Sequence, residues 1–413
     1  MRGGAIRQAV ILAGGKGTRL GAITQNIPKP MLPIAGDRPF LDYLLEMIER
    51  HGYEDILLLA GHLGEALEAA YAGRRIGEAV VRVVREEVAL GTAGALTIAQ
   101  DALDPRFLLM NGDAFFDINL RALEQASFRS GATATLALRS VPDAGRYGRV
   151  IEEDGKVKAF LEKDLSRPGP GVINGGVYVL KREIRDLVRN LPCSLEQDVF
   201  PALVERGELA GREFDGYFLD IGLPETLEQG HRELPKVRQR PAAFFALNAL
   251  VDSAPDNLSA FRWREDAVEA IRALNDRGYY VFVLRGQSRD AETKRVAGAA
   301  GVKAGMQERL ALEGAHVDRF YGEPEFTAGG VPGHADGAAK AKPVSSFIFA
   351  AMSEWPIVSE RSFCIGASGD DVEAARSAGI SGHAFDGRDL GGLVHSVLAQ
   401  LAQSAGASCR GGS

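Results

Sequence analysis

The chain has 413 residues, roughly two to three times the usual domain length of about 100–200, so more than one hydrophobic core is expected. Lys plus Arg is 48 and Asp plus Glu is 55, a net charge of −7, which leaves no basic footprint for nucleic acid or for an anionic membrane surface. A composition of 46% hydrophobic and 25% charged residues excludes disorder. The longest apolar runs, such as Ile56–Ala60, fall far short of the ~20 residues that span a bilayer, so no membrane helix is expected. Cys193, Cys364 and Cys409 are widely spaced and odd in number, which argues against a disulfide framework and against a cysteine zinc site. The opening Met1–Arg7 has no leader-like apolar region, and a cytoplasmic location is the expectation. The compositional anomaly is 49 glycines.

In chain order, short β-rich runs alternate with longer amphipathic segments, the pattern of βαβ units on a mostly parallel sheet. The spacing predicts strands at Gln8–Leu12, Asp55–Leu59, Val80–Val84 and Phe107–Met110. Helices are predicted at Phe40–His51, Leu63–Ala72 and Ala93–Ala102. Beyond residue 130 the β-type runs Thr133–Leu138, Gly148–Glu152, Val157–Leu161 and Val177–Leu180 suggest an antiparallel extension laid on that core. The stretch 229–242, with Pro235 and Pro241 and no clear period, reads as a linker. A second α/β pattern follows, with strands at Ala243–Leu247, Tyr279–Leu284, Ser362–Ile365 and Gly382–Phe385 and helices at Glu265–Asn275, Pro343–Met352 and Asp371–Ala378. The organisation is thus two unrelated α/β domains, 1–228 and 243–400, with a flexible tail at 401–413.

The string LAGGKGTRL, Leu12–Leu20, follows a strand directly. Gly14, Gly15 and Gly17 allow close backbone approach and aim several N–H groups at one point, which suits a phosphate. It is neither a P-loop, since Lys16 precedes Gly17, nor a dinucleotide fingerprint. Pro28 and Pro30 stiffen the backbone around Lys29 and make it a fixed point charge. Asp113 closes a strand at its carboxyl edge, where ligands bind in open α/β sheets, and Asp220 is a second carboxylate of the same kind. A hard cation such as Mg²⁺ is held by one or two carboxylates plus substrate phosphates. The seven histidines show no metal-ligand spacing.

Seven ordered strings, LAGGKGTRL, IPKPMLPIAG, LGTAGAL, LMNGDAFFD, FLEKD, INGGVYVL and FLDIGLPETL, resemble the sugar-1-phosphate nucleotidyltransferases over about residues 8–230. Within that family they look most like the D-glycero-D-manno-heptose 1-phosphate guanylyltransferases, with mannose-1-phosphate guanylyltransferases as near relatives. The resemblance implies a Rossmann-like, GT-A-like mixed-sheet domain, a nucleoside triphosphate (GTP) and a sugar 1-phosphate as ligands, and Mg²⁺ as cofactor. It implies that Leu12, Ala13, Gly14, Gly15, Gly17 and Thr18 cradle the triphosphate, with Arg19 on its β- and γ-phosphates and Lys29 on its α-phosphate. Asp113 and Asp220 would hold the metal. Glu86, Gly91, Thr92 and Gly94 would lie against the base, the carboxylate of Glu86 accepting from the guanine N1–H and N2–H₂ edge. Lys163 would take the sugar phosphate, with Glu162, Asn174 and Gly148 around the sugar. Another sugar or base, or a non-catalytic nucleotide-sugar sensor, are the alternatives, and homo-oligomer formation stays open.

The strand Ala243–Asn248, the run Tyr279–Ser288 ending in Gly-Gln-Ser, Lys342-Pro343 before a helix, and Phe363–Asp371 followed by an Ala-rich helix and Ala378-Gly379-Ile380 resemble, over roughly residues 243–395, the haloacid-dehalogenase-type phosphatases, in particular those acting on D-glycero-D-manno-heptose 1,7-bisphosphate. The departures are at the chemistry. The two aspartates of that family's first motif are Ala246 and Asn248 here, and an alanine cannot attack phosphorus. The Gly-Asp of the last motif is Gly366-Ala367, which leaves Asp371 of the acidic pair together with Lys342. The Thr-Asn before Gln-Ser is Arg285-Gly286, and no cysteine lies in 320–342 where a zinc loop would sit. A second Rossmannoid domain without hydrolytic activity, a pseudophosphatase, is the expectation.

Overall fold

The computed structural model describes residues 4–145, 147–161, 168–251, 262–285, 300–322 and 344–408. The chain divides into two compact units, Met1–Val237 and Arg238–Ser413.

In the first unit the strands run, in chain order, as β1 (Gln8–Ala13), β2 (Pro33–Ala35), β3 (Arg38–Pro39), β4 (Asp55–Ala60), β5 (Arg75–Ile76), β6 (Ala79–Arg85), β7 (Arg106–Asn111), β8 (Ala114–Phe116), β9 (Ala134–Val141), β10 (Arg149–Glu153), β11 (Lys156–Leu161), β12 (Gly171–Lys181), β13 (Leu209–Glu213) and β14 (Phe218–Asp220). Its helices are α1 (Phe40–Arg50), α2 (Gly64–Tyr71), α3 (Gly91–Ile98), α4 (Leu120–Ser130), α5 (Phe200–Glu205) and α6 (Pro224–Val237). Among the described residues ten strands make one mixed sheet in the order β10-β11-β13-β9-β12-β7-β1-β4-β6-β5. β1, β4, β6 and β7 are mutually parallel neighbours, whereas β12 runs antiparallel to both β7 and β9. The later strands are therefore not a layer on the α/β core, as the sequence suggested; they prolong the same sheet beyond β7.

Both faces of that sheet are covered, which is why its central strands read as continuous apolar runs. Along β1, Ala9, Ile11 and Ala13 enter one core with Leu41, Leu44 and Ile48 of α1, while Val10 enters the other with Leu96 of α3 and Phe200 and Leu203 of α5. The helix α4 starts on Asn119, whose side chain accepts from the Ala122 N–H, and ends on Gly131 at φ +65°. At the far end from the site, Arg121 and Glu124 form a buried ion pair, and Glu124 also accepts from the Ile6 N–H at 2.8 Å.

The segment 229–237, read from sequence as linker, is the second half of α6, which runs through Pro235 to Val237 and buries Leu234. Three glutamates and the buried Leu227 and Leu234, one and three turns along, supply an amphipathic stripe that the prolines mask. The first strand of the next unit begins only five residues later, at Ala242.

In the second unit, β15 (Ala242–Ala246), β16 (Tyr280–Leu284), β17 (Arg319–Tyr321), β18 (Phe363–Gly366) and β19 (Ser381–Ala384) form a parallel sheet in the order β17-β16-β15-β18-β19. Phe245, Val281, Val283 and Ile365 pack on one side with Ile271 and Leu274 of the helix Glu265–Asp276. Phe244, Phe282 and Cys364 pack on the other with Phe347, Ile348 and Trp355. The helix Leu390–Ser408 carries regular backbone past residue 401, where the sequence suggested a flexible tail.

Candidate active site

In an open α/β sheet, a ligand crevice forms outside the carboxyl ends of the strands where the connections reverse direction. In the first unit that place lies between β1 and β7, whose neighbours on either side are reached by opposite crossovers. Leu12 and Ala13 end β1, and the glycine loop leaves the sheet there. Gly112 brings the end of β7 against it: its N–H donates to the Leu12 carbonyl at 2.9 Å, and a Cβ at Gly112 would sit 2.6 Å from the same oxygen. The glycine loop and Asp113 are side by side for that reason.

The loop is held from two sides. Its Gly14 carbonyl accepts from the His62 N–H at 3.2 Å, and a Cβ on Gly14 would meet Glu86 Oε1 at 2.5 Å. Gly17 has φ +62°, and Thr24 Oγ1 donates to its carbonyl at 3.0 Å, closing the short helical turn Thr18–Thr24 beneath Arg19. Gly15 has nothing within 4 Å of where a side chain would be, so its backbone is open for a ligand. Glu86 follows β6, donates its backbone N–H to the Ala60 carbonyl at 2.8 Å, and accepts from the Leu90 N–H at 3.3 Å. It walls a cleft of about 730 Å³ together with Gly61, Leu63, Gly64 and Arg85.

Lys29 is 6% exposed, and its ammonium lies 2.7 Å from Asp113 Oδ2 and 4.0 Å from Asp220 Oδ1. Asp220 reaches this point through a feature that periodicity does not show, the two-stranded ribbon of β8 with β14, which pairs Asp220 with Ala114. The Ile221 N–H donates to the Asp113 carbonyl at 3.0 Å, and the Gly222 N–H donates to Asp220 Oδ1 at 2.6 Å. A Cβ on Gly222 would lie 2.7 Å from Asp220 Oδ1, 3.1 Å from an Arg19 guanidinium nitrogen and 3.4 Å from the Lys29 ammonium, so three predicted residues converge on one buried glycine. Burial raises the Asp220 carboxyl above its ordinary range and neighbouring Asp113 adds to this, while Lys29, the Gly222 N–H and Arg19 oppose it. The two carboxylates share Lys29, with Arg19 the next positive charge. Among the described residues no group of three or more His, Cys, Asp and Glu gathers, so a divalent cation here would complete its shell with ligand oxygens and water, the way Mg²⁺ is commonly held.

The residues 91–94 have a packing role that the sequence reading did not foresee. Gly91 has φ +82°, and a Cβ there would lie 2.3 Å from the Cys193 carbonyl oxygen; at Gly94 it would lie 2.8 Å from Leu191 Cδ2. That same carbonyl accepts from the Ala93 and Gly94 N–H groups at 3.0 and 3.2 Å, so these donors at the start of α3 are spent on the chain itself. Thr92 donates to Glu196 at 3.1 Å and accepts from the Leu195 N–H at 2.8 Å. Gly91 and Gly94 are glycines because the 191–193 segment packs against them, a tertiary cause that the string LGTAGAL does not disclose.

Asn174 sits where β12 bulges against β9. Its Oδ1 accepts from the Gly176 N–H at 3.0 Å and its Nδ2 donates to the Tyr178 hydroxyl at 2.8 Å. Gly148, at φ +79°, follows Tyr147, whose ring stacks edge-on against Phe218 of β14 at 5.9 Å. Glu162 and Lys163 lie outside the described residues. Glu196, absent from the sequence reading, and Tyr178, present there only within the string INGGVYVL, join the site's surroundings; the acidic string Leu195–Asp198 on a turn of π-helix was the only local signal for Glu196.

In the second unit, Ala246 ends β15 and Asn248 lies in the helical turn Leu247–Leu250 that follows. The strand order puts Ala246 beside the end of β18, where Gly366 and Ala367 stand. Asp371 Oδ2 accepts from the Ala367 and Ser368 N–H groups, both at 3.1 Å, and from the Ser368 hydroxyl at 2.9 Å. Its carboxylate is turned into the capping box of its own helix. Gly286 and Lys342 lie outside the described residues.

The doubly-wound crevice, the glycine loop and the paired carboxylates define a nucleotidyl transferase, and the nucleotidyl transferase family model matches residues 8–237, more than half the chain; the protein belongs to that family. The matched segment ends at the boundary of the first unit. Over 229 residues the chain is 33% identical to D-glycero-alpha-D-manno-heptose 1-phosphate guanylyltransferase of Aneurinibacillus thermoaerophilus, covering 55% of this chain and 98% of the relative. It is 35% identical over 223 residues to the enzyme of that name from Campylobacter jejuni, covering 53% and 96%. The crystal structure of HddC from Yersinia pseudotuberculosis complexed with GMP-PN is similar at 30% identity and a TM-score of 0.50, covering 55% of this chain and all of that one. Among the described residues no helix is long and apolar enough to cross a membrane.

Proposed function

We propose that the first unit transfers GMP from GTP to D-glycero-D-manno-heptose 1-phosphate, releasing pyrophosphate and yielding an activated sugar for polysaccharide synthesis. The observation that carries this reading is the cluster in which Arg19, Lys29 and Asp220 meet at Gly222 while Asp113 pairs with Lys29, together with a glycine loop whose Gly15 backbone is open. The reaction brings two polyanions together. A phosphate oxygen of the sugar 1-phosphate attacks the α-phosphorus in line, the new P–O bond forms as the α–β bridge breaks, and the electron pair leaves on pyrophosphate. The nucleophile is already anionic near neutral pH, so no general base is needed, and positioning with charge neutralisation does the catalysis.

In this reading Arg19 clamps the β- and γ-phosphates, Lys29 neutralises the α-phosphate, and the glycine loop donates N–H groups. Asp113 and Asp220 would hold Mg²⁺, which when bound withdraws charge from the phosphate oxygens. Glu86 beside the loop is an acceptor suited to the N1–H and N2–H₂ edge of guanine, and the heptose assignment draws on the relatives' names. Lys163 and Glu162 are proposed for the sugar phosphate and sugar. The second unit is read as a phosphatase-like fold without hydrolysis: alanine stands at the nucleophile's place and Asp371 is engaged in a helix cap.

The test is a pyrophosphate-release panel of five nucleoside triphosphates against heptose 1-phosphate, mannose 1-phosphate and glucose 1-phosphate. GTP with heptose 1-phosphate is expected to turn over fastest, and Asp113→Ala to lose roughly 100-fold or more in kcat. A faster pair corrects the substrate, and no turnover with any pair replaces the enzyme by a nucleotide-sugar sensor. Phosphate release from heptose 1,7-bisphosphate would refute the assignment of the second unit.

A further inference from the structure

Behind Asn174 lies a directed chain of hydrogen bonds. Asn174 Nδ2 donates to the fully buried Tyr178 hydroxyl at 2.8 Å. The Tyr178 hydroxyl donates in turn to Glu196 Oε1 at 3.3 Å. The other carboxylate oxygen of Glu196 accepts from the hydroxyls of Thr92 and Ser194, both at 3.1 Å. An ionised carboxylate has acceptors only, so it dictates every direction in the chain. Tyr178 must point its hydrogen at Glu196, its oxygen is then left to accept, and the Asn174 amide facing it must present N–H.

The Asn174 carboxamide is therefore locked in one of its two flips, Nδ2 towards Tyr178 and Oδ1 towards the Gly176 N–H at 3.0 Å. One amide hydrogen and one carbonyl lone pair stay free for a ligand. The reversed flip would set the Asn174 NH₂ against the Gly176 N–H.

We propose that Glu196 is a positioning residue for the sugar substrate: through Tyr178 it fixes the orientation in which Asn174 meets a sugar hydroxyl. This rests on the reading above that Asn174 faces the sugar. Glu196 itself touches no substrate in this scheme, and its influence is on how well the sugar 1-phosphate binds.

The experiment measures KM for both substrates and kcat in the full chain, using whichever pair the pyrophosphate panel identifies. Glu196→Ala is expected to raise the sugar 1-phosphate KM about tenfold, the scale of one directional hydrogen bond, with the nucleotide KM within about twofold. Glu196→Gln keeps an acceptor for Tyr178 and should recover most of that loss. Tyr178→Phe breaks the same chain one bond closer to Asn174, so it should match Glu196→Ala, and the double variant should be no worse than either single one. Melting temperatures recorded alongside separate this from general loosening: additive KM effects, or effects that track Tm across the variants, overturn the proposal. An active wild type whose sugar KM is unmoved in Glu196→Ala and Tyr178→Phe overturns the proposal and leaves the proposed function standing. A wild type that turns over no pair overturns both.

Discussion

Replacing Gly91 by alanine separates packing from ligand contact as the reason for that glycine. At φ +82° an L-residue costs about 1–2 kcal/mol relative to glycine. The new Cβ would start 2.3 Å from the Cys193 carbonyl oxygen, so that carbonyl must retreat by about 1 Å to reach an ordinary contact. At present it holds the Ala93 and Gly94 N–H groups at 3.0 and 3.2 Å, and a retreat of that size takes both beyond bonding distance. Each lost bond is worth about 1 kcal/mol, which brings the whole to roughly 3–4 kcal/mol. At about 2–4 °C per kcal/mol for a unit of this size, the first unit's calorimetric Tm should fall by roughly 6–16 °C. Gly15→Ala is the companion: no atom lies within 4 Å of its Cβ and its φ is not positive, so Tm should hold while the nucleotide KM rises. If Gly91→Ala leaves Tm within about 2 °C and instead weakens nucleotide binding, the packing account of residues 91–94 is wrong.

Three further outcomes follow from two buried groups and one half-buried histidine. Arg121→Ala leaves Glu124 without its partner at 0% exposure, and the urea midpoint of the first unit should drop by an amount equivalent to about 3–5 kcal/mol; a loss below about 1 kcal/mol would mean the pair is relaxed by water. Burial pushes the Cys364 thiol up to about 12, so this cysteine should resist thiol reagents at pH 8 in the native protein and react once the chain is unfolded in urea, as peptide mapping of the labelled sites would show. Burial also depresses His383 below its ordinary value near 6.5, so the stability it contributes is full above about pH 6.5 and is lost as the pH falls through the lower folded value. The second unit should accordingly melt lower at pH 5 than at pH 7.5, and His383→Gln should flatten part of that dependence; an unchanged pH profile in the variant would assign the effect to other groups.

Much of this protein is local information. The glycine loop, the stiff Pro28-Lys29-Pro30 turn and the apolar runs of β1, β4 and β7 are readable residue by residue, because backbone freedom, proline geometry and full burial each leave a mark within a few positions of the chain. The same holds for the missing acids at Ala246, Asn248 and Ala367, where a side chain's identity alone excludes a chemistry. What the sequence leaves undetermined depends on distant segments meeting. Asp220 belongs beside Asp113 only because β14 pairs with β8, about a hundred residues away in the chain. That Gly91 and Gly94 also make room for the 191–193 segment shows only when that segment is laid against them. Pro235 looks like a linker signal until α6 buries Leu227 and Leu234 under it. Glu196 carries no motif at all, and its standing comes from Tyr178, Thr92 and Ser194 turning towards it. Backbone propensity and side-chain chemistry act over a few residues and are written in order along the chain, whereas close approach and hydrogen-bond direction are set between residues that only folding makes neighbours.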